Sequence, residues 1–427
     1  MSEKKQKDPA RELCRVMRRI YDRELTTLTG GNLSLMDDQG VMWTTPTGID
    51  KASLAPEDIV RVFPDGNTEG KHRPTSEYRI HWRILTQRQD LRAVLHAHSP
   101  TLVTMSILYQ ASNTKLTPLT YAAVGDVRLA DYAPPGSMEL VDCVGEVFQV
   151  GCRAAVLKNH AAFLGSGIDL FDAFRRFEQF DRNACIQLLA PAIGQLAEPT
   201  VEELTAFLAC LDRPWTERPI RAVEGEEKTL CRTLAGLSRR AYHKGLFTGL
   251  QGAISARSGA DRFIISPREK DNAYLEGEDF TAVEVGTCSP GYQPDISAGL
   301  HQAIYRAYPD VQSVILAGPA YASMFAVCRT PMDCTIIPES FGVLRSMARV
   351  PLEVLTDHPE SITDYITPQC PAALIDNYGV IVLGASPILA FDKLEVAEFT
   401  ARSLHQTAVS GGTVHHLSME ELLETLN

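Results

Sequence analysis

The chain has 427 residues, 44% of them hydrophobic, which is long enough for two ordinary domains with full cores. A formal net charge of −12 excludes a general basic surface for nucleic acid, so no nucleic-acid partner is expected. No apolar run approaches the roughly 20 residues that span a bilayer. The opening MSEKKQKDPA lacks the apolar stretch of a secretory signal, so no membrane partner and a cytoplasmic location are expected. Ten scattered cysteines without a Cys-x-x-Cys pair read as reduced thiols and offer no thiolate zinc site.

In chain order, residues 12–25 carry Leu13, Val16, Met17, Ile20 and Tyr21 at the spacing of one helical face. Short strands are expected at 32–36 and 41–45, punctuated by Gly and Pro. A helix over about 76–86 precedes an apolar strand at 93–96; a further helix and strand lead to a long helix at 169–189. Strands and helices are mixed throughout, which predicts an α/β domain. The stretch 190–227 is richer in Pro, Glu and Thr and reads as the approach to a linker.

The pattern then starts again. RPTSEYRIHWRILTQRQDLRAVLHAHSP from Arg73 aligns with QPDISAGLHQAIYRAYPDVQSVILAGPA from Gln293; Pro74 and Pro294, like His81 and His301, differ by 220. Upstream, GGNLS aligns with QGAIS, and TTPTG with ISPRE; downstream, AAVLKNHA aligns with AALIDNYG. Collinear blocks at nearly one offset indicate a tandem duplication. The expected division is 8–213 for the first copy, 214–227 for the linker and 228–427 for the second.

His96 and His98, two apart at the end of an apolar strand, point to the same face, and His160 ends a second such run. Three imidazoles at strand ends suit a metal ion with an open fourth position. Glu77 opens the helix before the His-x-His strand, where dipole stabilisation alone would also explain a carboxylate. Thr75 and Ser76 read equally as helix caps or, with backbone N–H groups, as part of an anion site. Gly31, Asn32, Thr47 and Gly48 lie in turns that let the backbone approach a phosphate, or serve only as turn residues.

These blocks (GGNLS, TPTGI, RPTSE, VLHAHSP and KNHA) resemble the class II aldolase/adducin family over residues 11–190, and more weakly over about 230–405. The resemblance implies a three-layer αβα fold in two tandem copies. It also implies a divalent metal on His96, His98 and His160: zinc first, with Fe2+ or Mn2+ as alternatives. Glu77 is then the acid/base, and Gly31, Asn32, Thr47, Gly48, Thr75 and Ser76 hold a substrate phosphate. The implied function is a lyase, aldolase or decarboxylase, that cleaves a C–C bond of a small sugar-like substrate through a metal-stabilised enediolate. An epimerase, a dehydratase, an iron-dependent oxygenase and a non-enzymatic adducin-like scaffold are the alternatives. A homo-oligomer is implied too, a dimer of chains forming a pseudo-tetramer of domains.

Two local departures stand out. The family's Asn-His-Gly is Asn159-His160-Ala161, and the turn after it reads as one residue shorter than in the second copy. In that copy His96 becomes Leu316, His98 Gly318, His160 Tyr378, Glu77 Ser297, Asn32 Ala253 and Gly48 Glu269, so it is expected to fold without metal chemistry.

Overall fold

The computed structural model describes residues 8–424. They form two compact units: one up to Thr114 with Ala123–Ala184, the other Lys115–Ala122 with the chain from Cys185 onward.

In the first unit the strands are β1 (Asn32–Met36), β2 (Met42–Thr44), β3 (Val60–Val62), β4 (Thr68–Glu69), β5 (Ala93–Ala97), β6 (Val127–Ala130), β7 (Ala154–Leu157) and β8 (Ala162–Ser166). They form one sheet in the order β4-β3-β2-β1-β5-β8-β7-β6, in which only β6 and β7 run parallel. The opening helix, Pro9–Asp22, starts before the expected residue 12. Asp8 accepts hydrogen bonds from the N–H of Ala10 and Arg11, and Pro9 takes the first turn, where its missing N–H is no loss. Leu13, Val16, Met17 and Ile20 are its buried stripe. The helices Tyr78–Gln87 and Met138–Gln149 pack together, and their apolar side chains share a core with Met42, Val94, Ala155 and Phe163 of the sheet.

The second unit repeats the arrangement with β9 (Thr216–Glu217), β10 (Ala253–Gly259), β11 (Arg262–Ile265), β12 (Thr281–Glu284), β13 (Thr287–Cys288), β14 (Ser313–Ala317), β15 (Met347–Val350), β16 (Ala372–Ile375) and β17 (Gly379–Gly384). Its order is β15-β16-β17-β14-β10-β11-β12-β13-β9. Omitting β9, this is the first sheet's order strand for strand. Alternation shows why the central strands are apolar throughout. Val314 and Leu316 enter one core while Ile315 and Ala317 enter the other, so both faces are covered by helices. Each copy is thus a three-layer α/β domain.

The stretch 185–213, expected with the first copy, belongs to the second compact unit. The helix Val201–Asp212 explains the difference. A capping box between Thr200 and Glu203 starts it, and Phe207, fully buried, joins the core of β14 and β17. The expected linker 214–227 is itself partly structured: β9 pairs in parallel with β13, and the helix Glu226–His243 begins at its end. All ten cysteines are free, and no helix among the described residues is long and apolar enough to cross a membrane.

Candidate metal centre and anion pocket

His96 lies on β5, His98 just beyond it, and His160 in the turn before β8, where Asn159 takes φ 54°. One nitrogen from each ring lies within 4.8 Å of the other two. The Nδ1 of His96 is 3.0 Å from the Ala162 carbonyl, which can only accept, so that nitrogen carries the proton and Nε2 keeps its lone pair. Nε2 of His98 stands 2.9 Å from Nε2 of His96, an approach that two lone pairs make only through a shared proton or cation. Phe163 stacks on His96 at 4.1 Å and fixes the ring plane. Burial, then the neighbouring His98 and His160, hold His96 well below the ordinary histidine range; burial and His160 lower His98. Neutral imidazoles are what a cation requires, so this donor set fits a divalent metal.

Glu77 is the N-cap residue of the helix Tyr78–Gln87, yet its side chain makes no capping bond. It turns to the histidines instead. Oε2 accepts a 2.8 Å hydrogen bond from Asn32 Nδ2 and lies 3.3 Å from His96 Nε2; Oε1 lies 3.6 Å from His160 Nε2. That Oε1 is buried with no hydrogen-bond partner, as are Asn32 Oδ1 and Thr26 Oγ1. An unmet buried acceptor costs roughly 1–3 kcal/mol, and the Glu77 oxygen is the one that lies beside a histidine of the cluster.

Gly30 and Gly31 bring their loop against the histidine strand. A Cβ on Gly31, whose φ is +68°, would lie 2.9 Å from the His96 carbonyl oxygen, and one on Gly30 3.1 Å from His98 Nδ1. A bridge between Pro46 and Pro74, with Thr75 N donating to Thr45 O at 3.1 Å, holds Thr75 and Ser76 beside Thr47 and Gly48. Thr47, Gly48 and Ser76 are exposed, whereas Thr75 is buried and its Oγ1 accepts from Glu77 N. The N–H groups of Gly31, Gly48 and Ser76 reach no acceptor among the described residues.

The second copy keeps the register and changes the contents. Ala253 faces Leu316 across β10 and β14, as Asn32 faces His96 across β1 and β5. Ser297, in the place of Glu77, donates to Asp295 at 2.6 Å. Tyr378 replaces His160 and packs against Phe207 with ring centroids 6.0 Å apart. Arg268, in the place of Thr47, donates to the carbonyls of Leu211 at 2.6 Å, Arg213 at 3.2 Å and Pro294 at 3.2 Å. The chain segment 207–215 therefore packs against Arg268 and Tyr378, the second copy's counterparts of Thr47 and His160. Sequence reading missed this helix, although T-V-E-E at 200–203 followed by Phe207 and Leu211 carries its cap and apolar spacing. The expectation of a shorter turn after His160 is also corrected. Ala154 pairs with Leu164 and Ala372 with Val382, so the two hairpins have equal length.

The model of the class II aldolase and adducin N-terminal domain matches residues 11–188 and again 232–405, and the chain belongs to this family. It is similar to the L-fuculose phosphate aldolase of Methanococcus maripaludis, 32% identical over 40% of this chain and 92% of that protein. The 5-methylthioribulose-1-phosphate/5-deoxyribulose-1-phosphate aldolase of Rhodospirillum rubrum is 31% identical over 40% of this chain and 80% of its own length. The 3-oxo-tetronate 4-phosphate decarboxylase of Haemophilus influenzae is 28% identical over 44% and 91%. Among solved structures, an L-fuculose 1-phosphate aldolase is 31% identical, covering 49% of this chain and 98% of its own, with a TM-score of 0.44.

Proposed function

We propose that the first copy is a metal-dependent lyase that cleaves a C–C bond in a small phosphorylated sugar or sugar acid, by aldol cleavage or decarboxylation. The observation that carries this reading is the convergence of His96, His98 and His160 on one point, with the partnerless Oε1 of Glu77 facing it. The named activities of the similar proteins support it.

His96, His98 and His160 would hold the divalent ion, with zinc the first expectation. When bound, it supplies Lewis-acid stabilisation of the negative charge that develops on substrate oxygens as the bond breaks. Asn32 fixes the carboxylate plane of Glu77 through Oε2, which leaves Oε1 to take or return the proton at the reacting carbon. Phe163 and the Ala162 carbonyl keep His96 in one tautomer and orientation. The N–H groups of Gly31, Gly48 and Ser76, with the hydroxyls of Thr47 and Ser76, would hold the phosphate away from the reacting end. Thr75 would serve through its backbone-facing hydroxyl, which orders the turn into Glu77. We also propose that the chain self-associates, with solution molar mass as the measurement.

The test is metal analysis of the purified protein followed by a screen of phosphorylated ketoses and 2-oxo acids for cleavage. One divalent ion per chain and turnover of a phosphorylated member are expected. A metal-loaded protein that turns over none of them would overturn the lyase reading.

A further inference from the structure

Lys51 is 1% exposed, one of the largest fully buried side chains of the molecule. Its ammonium donates a 2.5 Å hydrogen bond to the Pro46 carbonyl, and no carboxylate among the described residues pairs with it. The side chain thereby closes the loop 46–51 on itself, with Thr47 and Gly48 at the crest and the charge at the base. A buried ammonium with one neutral partner is costly, and here burial alone pushes it down to about 8.

The second copy shows that this loop does not need a charge to fold. Lys51 corresponds to Asn272 (46 to 267 and 51 to 272 are both 221), and Asn272 donates to the carbonyls of Thr248 and Gly252 at 3.0 and 3.2 Å. Those residues are the counterparts of Thr27 and Gly31, so position 51 sits behind both anion-pocket loops. A neutral amide suffices in the copy whose crest is Arg268 and Glu269. The ammonium accompanies the copy whose crest is Thr47 and Gly48, five residues or fewer along the same closed loop.

We propose that Lys51 is the counter-charge of the anion pocket and makes it select a doubly charged phosphate over a singly charged carboxylate. This rests on the reading of Gly31, Thr47, Gly48 and Ser76 as that pocket. In a poorly screened interior, the attraction of a cation for a ligand grows with the ligand's charge. A dianion in the pocket places a compensating negative charge in the field of the desolvated ammonium. Lys51 acts through the loop and the field, so it is a specificity residue and not a catalytic one.

The experiment titrates inorganic phosphate, and separately acetate, into wild-type protein, Lys51→Met and Lys51→Asn, with metal content and circular dichroism checked on each. Lys51→Asn borrows the second copy's residue and covers the case in which the methionine variant fails to fold. Expected is phosphate binding in the wild type, weakened about ten- to thirtyfold in the variants, the effect of one charge several ångströms away at intermediate dielectric. Acetate binding should change far less, and metal content not at all. Phosphate binding that is unchanged in a folded variant overturns the role of Lys51 and leaves the pocket standing. A wild type that binds no phosphate overturns the pocket and this inference together.

Discussion

Where Asn32 faces His96 across the first sheet, Ala253 faces Leu316 across the second, and the strands around both pairs keep one order and register. The apolar alternation that builds the sheet is therefore separable from the polar side chains at its strand ends. The first copy leaves Glu77 Oε1, Asn32 Oδ1 and both nitrogens of His81 without hydrogen bonds. In the second, His301 meets Ser255 at 2.7 Å and Ser297 at 3.3 Å, and Ser297 stands where Glu77 was. The exchange of Glu77 for Ser297 and the hydrogen bonding of the buried histidine therefore go together across the two copies.

The largest expected effect separates the copies by metal. His98→Ala should abolish the bound ion and the activity together, while Tyr378→Phe should leave one ion per chain; two ions per wild-type chain would contradict the assignment. Next, Glu77→Gln should keep the metal and lose rate by roughly 10²–10⁴-fold, the usual size of a general acid–base contribution. Metal content and turnover measured on one preparation decide it, and a fully active Glu77→Gln rules out proton transfer by this residue.

Phe207→Ala should destabilise the second unit by about 3–5 kcal/mol, the cost of emptying a buried aromatic site, without changing metal content. Denaturant unfolding followed by Trp215 fluorescence is the measurement, and an unchanged midpoint would show that the helix only rests against Tyr378.

The smallest effect concerns His81 and His301, the matching buried histidines of the two copies. Burial pushes His301 down to about 3, so it is neutral when folded and titrates near 6.5 when unfolded. Stability is then lost as pH falls from about 6.5 towards 3, and His301→Gln should flatten that slope. At pH 7, His301→Leu should cost about 1–2 kcal/mol through its lost hydrogen bonds, whereas His81→Leu, which loses none, should cost less. Equal costs would show that the hydrogen bonds of His301 contribute nothing net.

Much of this was legible in the sequence. The central strands announced themselves as apolar runs, and strand periodicity alone brings His96 and His98 to one face, whereas His160 reaches them from the turn before β8. Other features depend on contacts that spacing does not carry. Glu77 sits at a helix start, where dipole and capping chemistry describe it well, but its rotamer is set by Asn32 from 45 residues away. Residues 201–212 lie in a Pro- and Glu-rich stretch whose composition suggests solvent, while the cap at Thr200 and the burial of Phe207 make it a packed helix. The equal hairpin lengths show only in the pairing.

The parallel pairing of Thr216 and Glu217 with Thr287 and Cys288 bears on how the protein can be cut. The family match resumes at residue 232, yet a fragment started there would lack β9, Trp215 and Phe207, baring the apolar wall around Leu316 and Tyr378 to water. Such a piece should aggregate when expressed. The stretch that was once duplicated and the stretch that now folds as a body have different borders, so this half of the chain can no longer be inherited as a free-standing module.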